Sequence, residues 1–169
     1  MTDEFHVVDE NVLIVANQRK ATVSGACSMA SIDFLEHSAR VSSLVIDDEY
    51  SILLKYASHC NYAGAPGVGD WYFVWAQNNA ARLRHVSLEV TETGDYRSFP
   101  NHADLEGFDI DDRIYVATVA LSGSDTSLVN AADSDYSHVS AALRDCGIRV
   151  MELCASELKA PTRKRARWP

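Results

Sequence analysis

Short apolar runs alternate along this chain with longer stretches whose apolar residues recur every three or four positions. Phe5, His6, Val7 and Val8 read as a short strand that ends at Asp9, and a helix is expected from about Val12. Residues 27–39 carry the next helical period, with Ser24 or Ser28 placed near its start. Leu44, Val45 and Ile46 form a second apolar strand that runs into Asp47 and Asp48. Residues 50–60 put Ile52, Leu53 and Tyr56 on one helical face, and the glycine- and proline-bearing run 61–69 interrupts the pattern. Asp70 is then expected to cap a helix carrying Trp71, Phe73, Val74 and Trp75. Residues 86–90 alternate as a strand does, and 91–101 read as a polar loop. Residues 112–121 make a helix buried through Ile114, Val116, Ala117 and Ala120. Leu128 and Val129 form a strand leading to Asn130 and the acidic turn at Asp133 and Asp135. A helix over 139–146, stopped by Gly147, precedes a last strand over 148–153.

Strands alternating with helices predict βαβ units and a parallel sheet, hence an α/β fold. One domain is expected over residues 1–158. The remainder, 159–169, is a basic tail with Arg163, Lys164, Arg165 and Arg167 beside Trp168, and it is predicted to be disordered. The formal net charge of -9 argues against binding nucleic acid through a broad basic surface. It does not argue against a metal-dependent nuclease, because a carboxylate cluster becomes an anion site once divalent ions fill it. Cys27, Cys60, Cys146 and Cys154 are widely spaced and form no CxxC pair, so a zinc ribbon is not expected. They are expected to be reduced and packed in the core of a cytoplasmic protein. No signal peptide and no membrane span are expected.

Acids fall at the strand ends. In an open parallel sheet, ligands bind beyond the carboxyl ends of the strands. Asp9, the pair Asp47 and Asp48, and the pair Asp133 and Asp135 each follow a predicted strand, while Asp111 and Asp112 open a helix. Any single acid there is explained as well by helix capping as by function. Together they predict a carboxylate pocket, in which like charges call for a hard divalent cation with oxygen ligands, Mg²⁺ or Mn²⁺. Such a site suits phosphoryl chemistry. The chain offers no phosphate-binding glycine loop, no nucleophile elbow, and no cysteine–histidine pair at a telling position.

The segment Phe-His-Val-Val-Asp-Glu-Asn-Val-Leu at 5–13 resembles the opening strand and Asp-x-Asn-x-Leu motif of PIN domains. Residues 112–120, Asp-Arg-Ile-Tyr-Val-Ala-Thr-Val-Ala, resemble the family's Asp-led helix. Residues 128–136 resemble its strand followed by Asp-x-Asp-aromatic. A subset of bacterial PIN-like proteins is similar also at Val45 to Asp48, at Tyr56, in the Pro-Gly-Val-Gly-Asp loop ending at Asp70, at Phe99-Pro100, and from Phe108 to Arg113. The resemblance covers residues 5–154 and implies a three-layer α/β/α architecture with a central, mostly parallel, Rossmann-like sheet. It implies a metal-dependent endoribonuclease, often the toxin of a toxin–antitoxin pair or a defence effector. Asp9, Asp112 and Asp133 would hold Mg²⁺ or Mn²⁺ and act catalytically. Asp135 would assist as a further ligand, and Asn11 would support the site by hydrogen bonding. RNA as substrate, an antitoxin or other protein partner, and a homodimer are implied in the same way.

The chain departs from that pattern at Lys55, where the relatives usually carry a glutamate that serves as the second acid. Three readings stay open: Asp48 or Glu49 takes the role, Lys55 contacts phosphate, or the site is impaired. The competing function is a catalytically impaired PIN-like module that binds RNA or a protein partner. Phosphoacceptor signalling ranks last, because the region after Leu128 offers acids where that chemistry needs a lysine. Trp71, Phe73 and Trp75 are expected to pack in the core or a dimer interface.

Overall fold

The computed structural model describes residues 4–158, so the basic tail expected over 159–169 lies outside the described residues. In chain order the elements are β1 (Phe5–Val8), α1 (Glu10–Ala16), α2 (Gly25–Val41), β2 (Val45–Asp47), α3 (Ser51–Ala57) and α4 (Val68–Asn79). There follow β3 (Arg84–Val86), α5 (Arg113–Ser122), β4 (Thr126–Asn130), α6 (Asp135–His138), α7 (Ser140–Asp145) and β5 (Val150–Glu152). β1, β4 and β5 pair in the order β1-β4-β5, and β2 pairs with β3; every pairing is parallel. A parallel bridge between His6 and Leu44 sets the two groups side by side, with β1 between β2 and β4. All strands therefore release the chain at one edge.

Burial explains why these short strands hold. Val7, Val8, Leu128 and Val129 are fully enclosed, as expected of strands covered on both faces. α5 buries residues around most of its circumference, from Ile114 through Val119, and packs on β1, β2 and β4. α1 begins where it does because Asp9 keeps an extended backbone while its side chain accepts from the Asn11 N–H. Ser24 does the same for α2, accepting from the Cys27 N–H. α1 and α4 approach so closely that a side chain at Gly69 would put Cβ 2.3 Å from the Leu13 carbonyl oxygen.

At the same contact lies Asp70, which is wholly buried. Contrary to the expectation that it caps α4, Asp70 is the third residue inside the helix, and Gly67 takes the cap position. Its carboxylate is surrounded by donors: Asn17 Nδ2 at 3.0 Å, Arg19 Nη2 at 3.1 Å, the Asn61 N–H at 2.8 Å and the Gly67 N–H at 3.1 Å.

Other boundaries also differ from expectation. β3 spans 84–86 rather than 86–90: the Val86 carbonyl accepts the last rung from the Asp48 N–H, and Val90 projects into solvent. The helix expected over 139–146 is present as α7, Ser140–Asp145, and the separate short helix α6 precedes it within the stretch read as an acidic turn. Phe73 is enclosed, whereas Trp71 is exposed. The cysteine expectation needs correction as well. Cys27 and Cys154 form a disulfide, with Cα atoms 5.3 Å apart, leaving Cys60 and Cys146 free. The pairing joins the first turn of α2 to the chain just beyond β5, a proximity that spacing along the sequence does not reveal. It also removes the ground on which a cytoplasmic setting was expected. Among the described residues no helix is long and apolar enough to cross a membrane.

Candidate metal centre

The common strand edge is where the acids gather. β1 delivers Asp9 directly into the cap of α1. β4 ends at Asn130, and the following turn carries Asp133. Asp112 reaches the same place from the start of α5. One carboxylate oxygen from each of Asp9, Asp112 and Asp133 lies within 4.8 Å of the other two. A second group at the same spacing shares Asp112 and adds Asp109 and Asp135.

The three central acids differ in how far the protein satisfies them. Asp9 Oδ1 accepts from the Asn11 N–H at 2.8 Å, and Oδ2 from the Tyr136 hydroxyl at 2.5 Å. Burial, then the charges of Glu10 and Asp112, push its carboxyl well above the ordinary range. Asp112 is 9% exposed and makes no capping bond despite opening a helix. Burial, then Asp133, Glu10 and Asp109, raise it to about 7, against an opposing pull from Lys55. Asp133 Oδ1 accepts from the Asp135 N–H at 2.9 Å, and burial raises this carboxyl as well. The capping explanation that fits acids at helix starts thus covers part of Asp9 and none of Asp112.

Hydrogen bonds hold the spacing. Asn11 Nδ2 donates to Asn130 Oδ1 at 2.9 Å, and Asn11 Oδ1 accepts from the N–H groups of Ala131 at 2.9 Å and Ala132 at 3.3 Å. One side chain therefore ties the first turn of α1 to the turn that carries Asp133. Asn130 Nδ2 in turn donates to the Asp133 carbonyl at 2.7 Å and to Glu152 at 2.6 Å.

Asp48, the other supporting residue named from sequence, stands apart from both carboxylate groups. Its side chain is half exposed and faces His85 Nδ1 at 3.4 Å. Its neighbour Asp47 is buried but occupied as a helix cap, accepting from the Ser51 and Ile52 N–H groups at 2.9 Å each. Adjacent strand residues point to opposite faces, which separates the two aspartates. Glu49, the alternative to Asp48, is exposed.

Sequence reasoning passed over Glu10 and Asp109. Glu10 follows Asp9 immediately; its Oε2 accepts from the Tyr115 hydroxyl, and its Oε1 lies 3.8 Å from Lys55 Nζ. The adjacent Asp-Glu pair at the mouth of α1 was the available signal. Asp109 stands beside a cleft of about 400 Å³ that Phe108, Asp135 and His138 also line.

No protein-family model, no curated protein and no solved structure matches the chain. The functional argument accordingly rests on the motifs and on this geometry.

Proposed function

We propose that the protein is a Mg²⁺- or Mn²⁺-dependent endoribonuclease with a PIN-like, three-layer α/β/α architecture. The observation that carries the reading is the convergence of Asp9, Asp112 and Asp133 within 4.8 Å at the strand edge, where burial and then the neighbouring acids raise the Asp112 carboxyl to about 7. Oxygen-only donors, and like-charge repulsion that Lys55 offsets only in part, fit a hard divalent cation. When bound, such an ion supplies Lewis-acid polarisation of a phosphodiester and relief of the charge that develops there.

The chain supplies placement. Tyr136 and the Asn11 N–H fix the Asp9 carboxylate, while Asp112 makes no capping bond and keeps its lone pairs for a ligand. Asn11 sets the distance between Asp9 and Asp133 through the turn it clamps. Asp135, in the second group, extends the acid surface toward the cleft. A toxin or defence role, an antitoxin or other protein partner and a homodimer belong to the same proposal.

The test is cleavage of a mixed single-stranded RNA with Mn²⁺, Mg²⁺ or EDTA, by wild type and Asp112→Asn. Metal-dependent cleavage lost in the variant supports the reading; folded wild type that cleaves in neither metal sinks it. A second reading, an impaired module that binds RNA or a protein partner, is favoured by one observation. The Lys55 ammonium is paired with Glu10 beside the acids, where its charge already offsets part of theirs. Metal binding without cleavage selects that alternative.

A further inference from the structure

Lys55 lies in the last turn of α3, and its ammonium is drawn over the acids rather than out to water. Nζ lies 3.8 Å from Glu10 Oε1 and 5.7 Å from the centroid of the Tyr115 ring, and the side chain keeps 25% of its accessibility. A lysine on a helix surface ordinarily reaches for solvent through many rotamers. This one is held between an acid and an aromatic face, close enough for its charge to oppose the carboxylates acting on Asp112.

Its donors are not used up by these contacts. A separation of 3.8 Å is an ion pair but too long for a hydrogen bond, and among the described residues no acceptor takes an N–H of Lys55 Nζ. Glu10 is meanwhile engaged through its other oxygen by the Tyr115 hydroxyl. Lys20, the other lysine near the acids, already donates to the Ala132 carbonyl at 3.3 Å. The strand edge therefore sets three donors without acceptors beside carboxylates that need a cation. A phosphate oxygen meets the first need while a divalent ion meets the second.

We infer that Lys55 is a phosphate-binding residue, which takes a non-bridging oxygen of a single-stranded RNA phosphodiester and places it against Asp9, Asp112 and Asp133. The inference rests on the nuclease reading and names how that site holds its substrate. Asp9, Glu10, Asp109, Asp112, Asp133 and Asp135 together repel a polyanion, and one pinned ammonium supplies the local attraction. A compact ammonium with three rotatable donors suits a single oxygen and needs no planar, two-pronged geometry. Glu10 and Tyr115 act as positioning residues through Lys55.

The experiment measures binding of a fluorescein-labelled single-stranded RNA, with Ca²⁺ as the divalent ion, across salt concentrations. Wild type, Lys55→Gln and Lys55→Arg are compared. Lys55→Gln should bind about tenfold more weakly, the loss of one charge-assisted contact. The slope of log affinity against log salt should become shallower by about 0.7, the share of one phosphate contact on a single strand. Lys55→Arg should restore most of that slope.

Unchanged affinity in Lys55→Gln overturns the inference. So does weaker binding with an unchanged slope, which marks a packing role, and so does the absence of RNA binding by wild type. Calorimetric titration of wild type and Asp112→Asn with Mn²⁺ reads the metal centre separately. Intact Mn²⁺ binding with no effect at Lys55 ends the phosphate contact and spares the metal centre. Absent Mn²⁺ binding ends the nuclease reading, while the salt slope still decides Lys55.

Discussion

Asp70 and Asp112 are both buried aspartates near helix starts, and the protein treats them in opposite ways. Asp70 is enclosed by Asn17, Arg19 and two backbone N–H groups, so its acceptors are filled from within the chain. Asp112 has carboxylates for neighbours and makes no capping bond. The first arrangement is a clamp between α1, α4 and the preceding loop. The second is a carboxylate set among like charges. Burial does not distinguish a structural acid from a functional one; unmet acceptor capacity among like charges does.

Four measurements would break or sharpen that contrast. The largest effect is expected on activity. Asp112→Asn should lower metal-dependent RNA cleavage by about a thousandfold, because stabilisation by a correctly held ion is worth several kcal/mol. Next is stability: Asp70→Ala should lower the unfolding free energy by about 3 kcal/mol in denaturant melts, since Arg19 and the donors around it lose their acceptor. A loss as small as that of a surface variant would mean Asp70 is no clamp.

The third concerns pH. The Asp112 carboxyl is raised from 3.8 to about 7 in the folded chain, and Asp9 is raised with it by burial and by Glu10 and Asp112. The folded state therefore binds more protons than the unfolded state between those values. In EDTA the Asp112 contribution to stability is present in full below pH 3.8 and is lost as pH rises through about 7; the Asp9 contribution is lost in the same direction. Saturating Mn²⁺ should flatten the trend, as monitored by thermal melts along a pH series. The last is Asp112→Asn in EDTA at neutral pH, which should raise stability, because the amide carries no charge to be repelled by Asp133 and Glu10.

Much of the centre was legible because period and punctuation agree there. An apolar run ending in aspartate marked β1, an apolar run followed by an acidic turn marked the end of β4, and the Asp-led apolar stretch marked α5. What escaped depended on direction and partnership rather than on residue type. Asp47 and Asp48 are equivalent in composition, and only the alternation of the strand sends one to cap α3 and the other toward His85. Val86, Leu88 and Val90 alternate convincingly, yet a strand lasts only while a neighbour supplies its ladder, and β2 ends at Asp47. Glu10 and Asp109 were overlooked because their role depends on what faces them across the fold. The Cys27–Cys154 pairing joins positions 127 residues apart, a distance at which spacing carries no signal.

That pairing divides the centre by covalent origin. Residues 27–154 become a closed ring, and residues 4–26 are an arm outside it, with β1 seated between β2 and β4. Lys55, Asp109, Asp112, Asp133 and Asp135 belong to the ring; Asp9, Glu10 and Asn11 belong to the arm. A protease that nicks the ring once leaves its pieces joined on a non-reducing gel. A cut at Arg19 or Lys20 leaves the Asp9 segment held by strand pairing and side-chain contacts alone, so the carboxylate cluster can be divided at one peptide bond without touching any of its acids.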